Sequence, residues 1–146
     1  MSGAVQKPIV IEQREALTVV TYHGAATEEE YAAYLAEMSL IIERNRHRYQ
    51  RLAVINDASR WMRSSPLQRK MQADWMLKHD AEMRFRTAGV AFVITSAIVR
   101  GGLNAILWFA PLACPHKIVA TLAEAESWAN QVLAEDSLQQ RKVAGA

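Results

Sequence analysis

Cys114 and His116 flank Pro115. A thiol beside an imidazole is the one pair in this chain that suggests nucleophilic catalysis, with the imidazole as base. The two rings of evidence that such a site needs, a third orienting group and convergence in space, have no counterpart in the local sequence. The same pair offers two metal ligands, whereas zinc needs three or four. His23, His47 and His79 are scattered, as surface or loop histidines usually are. Asp57, closing an apolar run, is the one carboxylate placed where α/β sheets build their sites. Its ordinary role is to cap a turn. A phosphate-binding loop is missing: the only glycine pair, Gly101-Gly102, lies inside a helical pattern and is not followed by lysine. No serine sits between glycines as a hydrolase nucleophile would. No catalytic residues, cofactor or metal are therefore assigned.

A second set of residues suggests binding. Arg60-Trp61-Met62-Arg63 follows Asp57-Ala58-Ser59 and precedes Ser65. Tryptophan and arginine are over-represented where partners dock, and an aromatic flanked by cations can also stack on a base. Read as a loop, residues 57–65 expose Arg60, Trp61 and Arg63. The competing role for Trp61 is to fold back onto the core.

Charge is unevenly distributed along the chain. Residues 1–43 carry −5, residues 44–100 carry +8 and residues 101–146 carry −1, for a total of +2. The middle segment is arginine-rich, but no nucleic-acid-binding motif accompanies it, so a solvated face is the better reading. One cysteine fits a reducing compartment. No signal peptide is visible, and the apolar run Ala88–Thr95 is far short of the roughly 20 residues of a spanning helix. The expectation is a cytoplasmic protein without a transmembrane segment and without a specific nucleic-acid partner.

These residues need elements to position them. Pro8–Gln13 and Leu17–Tyr22 are short, β-branched runs joined by a polar turn, which predicts a hairpin. Thr27 with Glu30 forms a capping box before an apolar stripe of Tyr31, Tyr34, Leu35, Met38, Ile41 and Ile42, predicting a helix over 28–46. Arg51–Asn56 reads as a buried strand. Ser65, Pro66 and Gln68 open a second helix, expected to run to about residue 82. Ala88–Thr95 is uncharged throughout and reads as a central strand covered on both faces. Ser96 caps a third helix, in which Gly101-Gly102 is expected to permit close backbone packing. His116–Thr121 is a last strand, and Thr121 with Glu124 opens a fourth helix.

The order β-β-α-β-α-β-α-β-α predicts an α/β fold: a single domain over residues 8–135, with a mixed, mostly parallel five-stranded sheet and four helices. Residues 1–7 and 136–146 are expected to be flexible tails.

The opening hairpin with its TVVTYHG exit, the helix at 28–46, the strand LAVINDAS, the segment LKHDAEMRFRTAGVAFVIT and the closing HKIVATLAEAESWANQVL together resemble the STAS-like superfamily of anti-sigma-factor-antagonist domains. They resemble more narrowly its stand-alone bacterial branch, which shares features with the CRAL-TRIO lipid-transfer fold. The resemblance covers residues 8–135. It implies a non-enzymatic regulatory or adaptor domain of the bacterial cytoplasm that binds a protein partner or self-associates. It also implies an alternative, a carrier or sensor of a small apolar ligand or lipid. In phosphorylatable members an aspartate-serine pair follows the third strand. Here Asp57 matches, alanine follows it, and either Ser59 or Ser65 stands where the regulatory serine would. The implied partner-binding residues are Asp57, Ser59, Arg60, Trp61, Arg63 and Ser65.

Overall fold

A computed structural model describes residues 7–48 and 50–145. Most of the tail expected at residues 1–7 thus lies outside the described residues. The chain forms β1 (Ile9–Arg14), β2 (Leu17–Gly24), α1 (Glu28–Arg44), β3 (Leu52–Trp61), α2 (Pro66–Lys78), α3 (Asp80–Arg86), β4 (Thr87–Val93), α4 (Ala97–Phe109), β5 (His116–Val119) and α5 (Leu122–Ala144). One mixed sheet has the strand order β1-β2-β3-β4-β5. The first pair is antiparallel and the other three are parallel. The predicted class holds, with five helices rather than four.

The extra helix comes from a break at His79. Its backbone leaves the helical region (φ −104°, ψ 18°), so it caps the end of α2 and the start of α3. The helix expected to reach residue 82 is two helices meeting at His79. Two of the three expected capping boxes form as spaced; at Thr121 the hydroxyl accepts from the Glu124 N–H, but the Glu124 carboxylate accepts from that hydroxyl and not from the Thr121 N–H. The Thr27 hydroxyl accepts from the Glu30 N–H and the Glu30 carboxylate from the Thr27 N–H. Ser65 and Gln68 repeat the exchange at α2. These contacts satisfy N–H groups that a helix start otherwise leaves unpaired.

The strand order dictates where the helices go. Each parallel strand lies beside its predecessor, and right-handed crossovers then put every connecting helix on the same face. That face packs Val20, Tyr22, Ala58, Trp61 and Ile94 against α1, with α2 and α4 residues alongside. The opposite face, with Val19, Ala53, Ile55, Ala91 and Val93, is covered by α5 through Ala125, Trp128, Ala129 and Leu133. α1 packs both on β1 and on α2, and α2 and α4 make their main contacts with other helices. Ala73, Met76, Ile106 and Ala110 form a small core of their own between α2 and α4.

Two further expectations, one about the end of α5 and one about the glycine pair of α4, are corrected. Residues 136–144 are not a tail: α5 continues to Ala144. Asp136 is buried and bonds the Arg51 guanidinium, with Arg51 Nε donating to Asp136 Oδ1 at 2.8 Å. That anchor, eighty-five positions away in sequence, has no signature in local periodicity. Gly101 and Gly102 do not serve a close backbone approach. A Cβ on Gly101 would meet nothing within 4 Å, and one on Gly102 only the Arg69 side chain at 3.8 Å. The tight approach is at Gly89 in β4, where a Cβ would lie 2.8 Å from the Trp128 ring of α5. β4 itself lies between β3 and β5 and is buried over most of its length, Phe92 being half-buried on the α1 side. Among the described residues no helix is long and apolar enough to cross a membrane.

Candidate functional site

β3 is ten residues long and does not end at Asn56. Its pairing with β2 runs from Thr21↔Asp57 to His23↔Arg60, so two steps on β2 span three on β3. The extra residue is a β-bulge, and its effect follows from the two-residue period of a strand. Val54, Asn56 and Ala58 face the helices α1 and α2. Without the bulge, Arg60 would face them next. With it, Arg60 turns to solvent and Trp61 enters the core.

The expectation of an exposed loop at residues 57–65 is corrected accordingly. Asp57, Ser59, Arg60 and Trp61 belong to the strand, and only residues 62–64 link it to the N-cap Ser65. Trp61 is buried, packs edge-on to Tyr22 with ring centroids 5.4 Å apart, and donates its indole N–H to Ser64 Oγ at 3.0 Å. Ser59, Arg60 and Arg63 are exposed. Both candidate serines are engaged. Ser59 donates its hydroxyl and its backbone N–H to Asp57 Oδ1, at 2.7 and 3.1 Å. Ser65 Oγ accepts from Gln68 N and donates to Glu28 Oε1, each at 3.0 Å.

Cys114 and His116 do not form a site. Cys114 is buried, and burial pushes its thiol up to about 11, only weakly opposed by Arg51. His116 is exposed at the start of β5. Among the described residues no three His, Cys, Asp or Glu side chains gather as metal ligands would.

Cys114 and Pro115 border an open surface depression with Asp80 and Arg84, and a more sheltered concavity lies elsewhere. Because α2 and α4 pack on helices and stand off the strands, the sheet and helices border a cavity of about 460 Å³ that opens to solvent. Its walls include Ile41, Val54, Trp75, Phe92, Val99 and Leu103. Of the six methionines, Met38, Met76 and Met83 line it. Thioethers adapt to irregular shapes better than branched side chains do. A volume of this size is within the ordinary range for small-molecule sites.

On the sheet side the cavity has a polar floor. Tyr22 Oη donates to Asn56 Oδ1 at 2.9 Å, and the Tyr22 and Tyr34 hydroxyls share a hydrogen bond of 2.7 Å. With the Tyr22 proton on Asn56, Tyr34 is the donor in that pair. Tyr34 oxygen and the Asn56 amide group then remain as acceptor and donor toward the cavity. Tyr31 donates to Gln72 Oε1 at 2.8 Å. Burial raises all three phenols, Tyr34 to about 12, so they stay protonated at neutral pH and act as hydrogen-bonding groups. Among the described residues the lining holds no carboxylate, imidazole or thiol, and its phenol and amide groups can bind and orient a guest.

The sequence reading did not single out Tyr22, Tyr34 and Asn56. Asn56 was the available signal: a polar residue ending the apolar run LAVIN has to find a partner once buried. Tyr22 and Tyr34 sit in apolar patterns, where tyrosine and phenylalanine look alike.

No family model matches the sequence, and no curated protein matches it closely. Solved structures do resemble it. An uncharacterised protein of the DUF3478 family from Shewanella loihica PV-4, described as having a SpoIIAA-like fold, is 18% identical, with a TM-score of 0.56 over 83% of this chain and 91% of that one. An anti-sigma factor antagonist from Mycobacterium paratuberculosis is 15% identical, with a TM-score of 0.55 over 84% of this chain and 92% of that one. With the sheet order, the helix placement and these two neighbours together, the chain has a STAS-like fold of the SpoIIAA-like type.

Proposed function

We propose that this domain is a binding module that takes a small, mainly apolar ligand in the cavity between its sheet and helices. The cavity itself carries the reading: about 460 Å³, walled by aliphatic, aromatic and thioether side chains. Close packing is the rule in protein interiors, and an apolar void costs stability in proportion to its volume. A guest that fills it recovers those contacts. Cavity filling separates a binding site from imperfect packing. The neutral fluorophore N-phenylnaphthylamine should bind the native protein with enhanced emission. Ala58→Trp, on the cavity floor, should weaken that binding at least tenfold while leaving the melting temperature unchanged or higher. Failure of the fluorophore and of lipid extracts alike to bind the native protein would remove this reading.

A second reading is that the domain binds a protein partner or a second copy of itself at the end of β3. Ser59, Arg60, Met62 and Arg63 form an exposed run there, with Met62 66% exposed. One structural neighbour is described as an anti-sigma factor antagonist, which favours a regulatory partner. Buried Trp61 takes no part in this surface. Arg60→Glu with Met62→Asp should reduce self-association or partner capture from extract tenfold, about 1.4 kcal/mol, with the fold intact. An unchanged sedimentation profile and unchanged captured partners would argue against it.

A further inference from the structure

We propose that the cavity takes a single-chain amphiphile with an anionic head, a carboxylate or a phosphate, seated at Arg63 and Arg69. The proposal rests on the cavity reading above and adds a charge to it. Among the described residues lining the cavity only Arg63 and Arg69 are charged, and no Asp, Glu or Lys is among them to balance the pair.

Both arginines stand at one rim. Arg69 Nη1 donates to the Ser64 carbonyl at 2.7 Å, and Arg63 precedes Ser64 in the chain. A Cβ on Gly102 would lie 3.8 Å from Arg69 Cδ, which places α4 across the same rim. Here the end of β3, the start of α2 and the glycine pair of α4 meet. Gly101 faces open space, and without side chains the pair leaves a gap beside Arg69. Arg69 is half-buried and held by one carbonyl, so most of its guanidinium donors are unspent. Arg63 is exposed, and its side chain makes no hydrogen bond or ion pair with the described residues. Glu28, near this rim, accepts the Ser65 hydroxyl and makes no ion pair with either arginine. A guanidinium fork matches the oxygens of a carboxylate or phosphate and binds either more strongly than a neutral hydroxyl. The rest of the described lining is mainly apolar, and its hydrogen-bonding side chains, Tyr22, Tyr34 and Asn56 among them, are neutral. At roughly 30 Å³ for a water-sized group, the cavity holds on the order of fifteen heavy atoms. That suits one medium-length acyl chain and not a two-chain lipid.

Calorimetric titration of the full chain with dodecanoate, dodecyl phosphate and dodecanol at low salt tests this. At least one anion should bind tenfold or more tightly than the alcohol, and the tighter of the two identifies the head. Arg63→Gln should cut that advantage at least threefold. Arg63→Gln with Arg69→Gln should abolish it while dodecanol binds as before. Equal affinity for the alcohol and both anions would overturn the charge assignment and leave the cavity reading standing. An anion preference that survives the double substitution would overturn the role of these arginines. If none of the three binds, the cavity reading falls and this proposal with it. Should the double variant fail to fold, the exposed Arg63→Gln decides alone: an undiminished anion preference counts against the proposal.

Discussion

Cys114 shows how environment decides what a residue type can do. A thiolate is the reactive form of cysteine, and burial raises this thiol from 9.0 to about 11. The thiolate fraction at neutral pH falls on the order of 100-fold for such a shift. Iodoacetamide should therefore label the native protein at least tenfold more slowly than the protein in urea, and Cys114→Ser should fold normally. Labelling as fast as in urea would mean that the side chain is accessible and reactive. His79 responds to its surroundings in the opposite pH direction. Its ring stacks beside Trp75 at 4.7 Å, and its Nε2 lies 3.2 Å from Ser39 Oγ, which also accepts the Trp75 indole N–H at 2.9 Å. Burial lowers its pKa below 6.5; Lys78 adds to this and Glu82 opposes it. A depressed histidine is protonated more readily in the unfolded chain, so its contribution is intact above about pH 6.5 and is lost as pH falls through the lowered native value. The melting temperature should decline from about pH 7 to pH 5, and His79→Gln should flatten part of that decline. An identical pH profile in the variant would assign the decline to other groups.

At the scale of elements, the packing of α5 on the sheet depends on two small features. Gly89→Ala would place a methyl 2.8 Å from the Trp128 ring and 3.2 Å from Val132, on the side where α5 crosses β4. The ring cannot move without displacing the helix, so the substitution should cost about 1–3 kcal/mol, read as a lower urea midpoint. Asp136→Asn should cost about 1–2 kcal/mol by weakening the buried half of its pair with Arg51, the other half being partly solvated. If urea unfolding of either variant matched that of the native chain, α5 would not be anchored as described. These contacts explain what the sequence made legible. Capping boxes at Thr27 and Ser65, the apolar stripe of α1 and the uncharged run of β4 are local signals, and the elements form where they predict. The bulge in β3 is not local. It is stabilised by Trp61 packing on Tyr22, two elements away, and the one-residue shift buries Trp61, expected to be exposed, while Arg60 stays exposed as expected. For the same reason the candidate site was only half visible. Exposed Arg63 was identified from its type, whereas Arg69 and the cavity depend on how far α2 and α4 stand from the strands.

For the molecule as a whole, the sheet is asymmetric in how it is covered. The four crossover helices, α1 to α4, share one face and α5 alone takes the other. The crowded face cannot seat all its helices directly on five strands, and the cavity is the geometric remainder. The strand order has a further consequence, for how the chain reaches this state. Each strand pairs with the one synthesised just before it, and none has to be inserted between two strands already joined. The sheet can therefore grow at one edge as the polypeptide leaves the ribosome, β1 with β2 first and β5 last. Until α5 emerges, Val19, Ile55, Ala91 and Val93 have no cover. A nascent chain stalled before residue 122 would then present an apolar sheet face, the kind of surface that holds a growing chain on a chaperone. Release should follow emergence of the last helix.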